Sequence, residues 1–73
     1  MRTIEQQIQD SKKAYIEIFE KIITVDADSA EFLDLQDDLE MEAVFLINHC
    51  YGNVPLTYRE LYNLLKLDLS KGV

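Results

Sequence analysis

The chain is 73 residues long and 48% hydrophobic, with a formal net charge of −7 and a single cysteine. These values exclude an intrachain disulfide, argue against recognition of nucleic-acid phosphates, and are too apolar for a disordered acidic tail. One small domain over residues 1–73 is expected, with a core marginal enough that a second subunit or a partner would help to complete it.

The first helix is expected from about Thr3 to Thr24. Ile4, Ile8, Tyr15, Ile18, Ile22 and Val25 recur at alternating steps of four and three, with Ser11 at the one remaining step. That is a heptad-like seam for packing on another long helix. Phe19 and Ile23 widen the stripe, and Glu17 with Lys21 makes a favourable i,i+4 pair. The N-terminal stretch Met1 to Gln7 is polar and lacks the apolar core of a signal peptide. No apolar run approaches the length of about 18 residues that a membrane span needs. A soluble, cytoplasmic-type protein is therefore expected.

The second helix is expected to start at Asp28 as N-cap, with Glu31 three residues later as in a capping box and Ala27 and Phe32 as a staple. It runs to about Tyr51, where Gly52 suits a left-handed terminator and Pro55 blocks a restart. From Ile22 to Tyr58 there is no Lys or Arg, yet Asp26, Asp28, Glu31, Asp34, Asp37, Asp38, Glu40 and Glu42 all fall there. The bases, Arg2, Lys12, Lys13, Lys21, Arg59, Lys66 and Lys71, are scattered outside it.

At 100° per residue, Phe32, Leu35, Leu39, Ala43, Leu46 and Cys50 share one side of this helix, facing the first helix. Glu31, Asp34, Asp38 and Glu42 form an acidic stripe beside them, and His49 falls on the same side. Leu33, Met41, Val44 and Phe45 make a second apolar group. The run Ala43–Ile47 is apolar all round, so the third helix is expected to cover part of it and a subunit or partner the rest.

The third helix is expected from Thr57 to about Leu67. Thr57-Tyr58-Arg59-Glu60 is a capping box, with Leu56 and Leu61 as its staple. Tyr58, Leu61, Tyr62, Leu64 and Leu65 follow at helical spacing.

No nucleophile–base pair is visible. His49 and Cys50 are adjacent on a helix and diverge by about 100°. Cys50 reads as a small core residue and His49 as a surface one. Asp26 to Asp37 superficially resembles a calcium loop but has Glu31 and Asp37 where an EF-hand needs Gly and Glu. No glycine-rich phosphate loop is present, and no carboxylate has the apolar setting of a general acid. No enzymatic activity, no cofactor and no metal are expected.

Three partial resemblances can be drawn from particular residues. Leu39 to Val73 resembles the first two helices of a winged helix-turn-helix regulator, through Gly52, Leu56-Thr57, Glu60-Leu61, Leu65, Leu67, Ser70 and Val73. That family places its DNA-reading helix after Ser70, beyond these residues. Lys21 to Asp28 is similar to the inter-helix corner of the Rop family of plasmid copy-number proteins, which implies a hairpin, a dimer and RNA binding; the third helix departs from that pattern. Asp28-Ser29 resembles the Asp-Ser-Leu at which acyl carrier proteins bear phosphopantetheine, but Ala30 follows here.

The reading that results is an all-α domain: a long antiparallel hairpin with a short third helix, packing as a dimeric bundle. Its expected function is non-enzymatic protein binding of the inhibitor, antitoxin or regulator type. Glu31, Asp34, Asp38 and Glu42 would meet the basic surface of a partner protein, with Met41 and Phe45 as anchors. A homodimer is expected, and neither nucleic acid nor membrane is expected as a partner. The alternatives are a self-associating structural bundle whose acids only confer solubility, or a truncated helix-turn-helix-like nucleic-acid regulator.

Overall fold

A computed structural model describes residues 3–71, with the side chain of Lys71 left aside. Arg2, and Val73 of the helix-turn-helix resemblance, lie outside the described residues. The described chain forms three helices: α1 (Ile4–Ile22), α2 (Ala30–Cys50) and α3 (Tyr58–Lys71).

Helix α1 opens on Thr3, whose hydroxyl accepts the Gln6 N–H at 3.2 Å. It closes at Ile22, two residues before the expected Thr24. The cause is the β-branched run Ile22-Ile23-Thr24-Val25, which is poor in helix propensity. Thr24 N–H turns back to the Lys21 carbonyl at 3.1 Å, and the Thr24 hydroxyl donates to the same oxygen at 2.8 Å. Ile23 therefore falls outside the helix and is 61% exposed rather than widening the stripe.

The start of α2 also differs. Ser29, not Asp28, is the N-cap. Its hydroxyl accepts the Phe32 N–H at 3.2 Å and donates to the Asp26 carbonyl at 2.7 Å. An ionised carboxylate only accepts, so Asp28 could not hold both partners. With the cap moved one residue on, the proposed Ala27–Phe32 staple and the Glu31 capping box do not form. Asp26 stabilises the turn instead, its Oδ1 accepting the Asp28 N–H at 3.1 Å.

Helix α2 returns along α1. Ile18 and Leu35 line one shared groove near the turn, and further out the Ser11 hydroxyl donates to Glu42 Oε2 at 2.5 Å. Leu39, Ala43 and Leu46 are buried against α1, with Phe32, Leu35 and Cys50 packed at the edges. The helix ends as Gly52 suggests, at φ +60°, and the left-handed stretch extends to Asn53 at φ +64°. Asparagine tolerates this region better than most residues. The amides of Tyr51 and Asn53 both return to the Ile47 carbonyl, at 3.2 and 3.1 Å.

Helix α3 begins on the expected capping box. Thr57 Oγ1 accepts the Glu60 N–H at 3.1 Å, and Glu60 Oε1 accepts the Thr57 N–H at 3.0 Å. The helix runs four residues past the expected Leu67. Leu69 packs at the core edge, and Asp68 is held from two sides: by the Tyr51 hydroxyl at 3.0 Å and by Lys12 Nζ at 3.9 Å. These contacts order a last turn that propensity alone would leave open.

Helix α3 packs chiefly on α1, with Leu61 and Leu65 fully buried. Thus α1 is covered on two sides, which enlarges its buried face. Ile16 and Phe19 are buried along with Tyr15 and Ile22, while Ile4 of the expected seam is 50% exposed. The centre of the core is Tyr15. Its ring is inaccessible and its hydroxyl donates to the Tyr58 carbonyl at 2.6 Å, tying the first turn of α3 to the middle of α1.

Candidate docking face on the second helix

Because α3 lies mainly against α1, α2 has one well-covered face and an open remainder. The residues singled out as a docking site divide between these two environments. Glu31, Asp34 and Asp38 are exposed on one flank. Glu31 lies in the first turn, where its charge is favourable to the helix dipole. Met41 stands further round and is 70% exposed.

Glu42 and Phe45 differ from that expectation. Glu42 is half-buried and accepts the hydroxyl proton of Ser11, itself buried in α1. The interior hydroxyl needs an acceptor, so Glu42 satisfies a core group as well as adding charge to the stripe. Phe45 is half-buried, packed at the core edge and against His49 with ring centroids 4.5 Å apart. Phe45, Met41 and Glu42 line a shallow groove with Gln7, Asp10 and Ala14 of α1. Phe45 is therefore the half-buried part of that groove, while Met41 stands at its rim, 70% exposed.

Three further residues belong to the open face: Asp37, Glu40 and Val44, which share a hollow with Met41. Val44 is 54% exposed and Leu33, about three turns earlier on the same side, is 60% exposed. Their spacing from Met41 marked them as a second apolar group, but only the position of α3 decides that this side stays uncovered.

The electrostatic pattern is uneven. The described ion pairs, Lys12–Asp68 at 3.9 Å and Lys66–Glu20 at 3.8 Å, both lie between α1 and α3. Glu20 also accepts the Tyr62 hydroxyl at 2.7 Å, and Tyr62 stacks on Phe19 at 4.4 Å. Arg59 lies over the Phe19 ring at 5.8 Å. Arg59 and Lys66 of α3 are thus engaged against α1 and Tyr62, not against the α2 flank. Among the described residues, no ion pair involves an acid of α2.

Shifted pKa values fall away from this face. Burial, then Tyr58, pushes the Tyr15 phenol up. Burial and, second, the bond to Asp68 do the same for Tyr51. The bond from the Thr57 N–H, then its side chain, holds Glu60 below the usual carboxylate range.

Among the described residues there is no group of three or more His, Cys, Asp or Glu placed to hold a metal ion. No described helix is long and apolar enough to cross a membrane. The Ser29 hydroxyl, the position resembling an acyl-carrier serine, is engaged in capping α2. No protein-family model, curated protein or solved structure matches the chain, so the three partial resemblances rest on their residues alone.

Proposed function

We propose that the chain is a non-enzymatic protein-binding module whose second helix docks on the basic surface of a partner protein. One observation carries this reading. The acids of α2 lack ion-pair partners among the described residues, and they adjoin exposed Met41 and Leu33. A flank with charge alone would suit solvation; charge beside exposed apolar side chains suits a partner that contributes both cations and a hydrophobic contact. Glu31, Asp34 and Asp38 steer the approach, Met41 is the projecting anchor, and Glu42 and Phe45 shape the adjoining groove.

The test is affinity capture from the source lysate at low and high salt. It is run with the native chain and with a Glu31→Gln, Asp34→Asn, Asp38→Asn variant. A stoichiometric basic protein that is retained by the native chain at low salt, and lost with the variant, supports the reading. Equal capture by both proteins refutes it.

A second reading, self-association into a dimeric bundle, is favoured by the exposed Leu33, Met41 and Val44. It requires the acids of α2 to lie away from those of the second copy. Light scattering separates the two: a dimer that forms without partner and binds nothing at either salt leaves the acids as a solvated face.

A further inference from the structure

Leu33, Met41 and Val44 project from the outward side of α2, 60%, 70% and 54% exposed. At 100° per residue they fall within a sector of about 80°, and the stretch from Leu33 to Val44 is about 16 Å long. Asp37 lies in the middle of that sector. Glu40 borders it on one edge and Asp34 on the other, with Asp38 further round on Asp34's side. The result is a narrow apolar strip, one helix stripe wide, with carboxylates at its centre and along both edges.

We propose that this strip docks an amphipathic helix of about three to four turns whose apolar stripe is bordered by Lys or Arg on both sides. The proposal rests on the protein-binding reading above and specifies the form of the ligand. Three arguments favour a helix. The strip matches the width and straightness of a partner helix's apolar stripe. The backbone of α2 is used in its own hydrogen bonds, so an extended segment gains no ladder along it. Acids on both edges complement a ligand that carries cations on both borders, whereas a ligand charged on one side satisfies only half of them. A second copy of α2 on the same strip would bring Asp34, Asp37, Asp38 and Glu40 against their own equivalents, which is repulsive. One basic side chain of the ligand must reach Asp37 between the Leu33 and Met41 contacts, so the ligand reads apolar–basic–apolar along its stripe.

The probe is a peptide of about 18 residues, enough to cover the strip as a helix, built from Leu, Ala and Lys. Lys borders the Leu stripe on both sides, and one further Lys interrupts the stripe at its middle to reach Asp37. The controls are the same composition scrambled to remove the stripe, and a non-helical Lys-Gly-Ser peptide of equal charge. Affinity and backbone-amide shifts are followed at low salt. The expected result is binding of the amphipathic peptide at least about tenfold tighter than either control, from burial of apolar side chains. The largest amide shifts should lie at Leu33, Asp37, Met41 and Val44. Met41→Ser with Val44→Ser, both at exposed positions, should remove most of that preference while leaving the helical circular-dichroism signal unchanged; Met41→Gln alone should remove part of it. Equal binding of all three peptides, with shifts on α2, overturns the helical ligand and leaves the basic-surface reading standing. Shifts confined to α1 or α3, or no binding by any peptide, overturn both.

Discussion

Replacing Tyr15 by Phe removes one oxygen from the centre of the fold and leaves the ring in place. The lost bond is the 2.6 Å contact from the Tyr15 hydroxyl to the Tyr58 carbonyl, made by a fully buried side chain. A neutral hydrogen bond of this kind contributes about 1 kcal/mol net. At neutral pH the variant should therefore be about 1 kcal/mol less stable, which for a domain of this size is a fall in Tm of about 4–8 °C. The alkaline side reverses the comparison. Burial raises the folded-state pKa of Tyr15, so the neutral phenol is favoured in the folded chain. Its contribution is fully present below the unfolded pKa of about 10 and is lost as pH rises from there through the folded value. In that window the native chain loses up to about 1.4 kcal/mol per pH unit that the Phe variant does not. The gap at pH 7 should close, or change sign, by about pH 11. Lysines titrate in the same range but are common to both proteins and cancel in the difference. Urea titrations at pH 7 and pH 11, with m unchanged, measure both gaps. A gap that is the same at both pH values would refute the argument, as would a loss above about 3 kcal/mol at pH 7.

Thr57→Ala should cost about 1 kcal/mol through loss of half the capping box, read from a thermal melt. The depressed Glu60 pKa gives stability present above the unfolded value of about 4.3 and lost as pH falls through the folded value. Glu60→Gln should consequently flatten the acid side of the stability curve. Ser11→Ala should cost about 1–2 kcal/mol because it strips a half-buried carboxylate of its donor. Asp34→Asn and Asp38→Asn should stay within about 0.5 kcal/mol of the native chain or stabilise it slightly, since they relieve like-charge neighbours. A loss above about 1 kcal/mol in either Asn variant would show that these acids have structural partners. Leu61→Ala or Leu65→Ala should cost about 2–5 kcal/mol, which can unfold so small a domain. Met41→Ala, at 70% exposure, should change stability by less than about 0.5 kcal/mol in the same titration.

The parts of this fold that could be read from sequence are those fixed by a few adjacent residues. The capping box at Thr57 and Glu60, the left-handed Gly52, and the inward set Leu39, Ala43 and Leu46 need only local chemistry and helical period. The start of α2 was ambiguous because Asp28 and Ser29 are both good caps. Only the second partner, the Asp26 carbonyl, selects the hydroxyl over the carboxylate. Glu42 is indistinguishable on a helical wheel from Asp38 and Glu31. What sets it apart is the register of α1, which brings Ser11 opposite it. Similarly, the depth of Ile16 and Phe19 depends on where α3 docks, which no periodicity within α1 encodes. The same docking leaves Val44 in the open beside Met41.

The attachment of α3 has a consequence for how the molecule breathes. Its bonds to α1 join residues far apart in sequence, Tyr58 to Tyr15 and Tyr62 to Glu20, whereas α1 and α2 are joined by a short turn. Loop-closure entropy makes the distant clasp the cheaper one to release. A partly open form, with the hairpin intact and α3 swung away, would bare Phe19 and the Tyr15 ring together. Amide hydrogens of α3 should then exchange ahead of those in the facing stretches of α1 and α2, so that the hairpin and the clasp form two separate units of exchange protection.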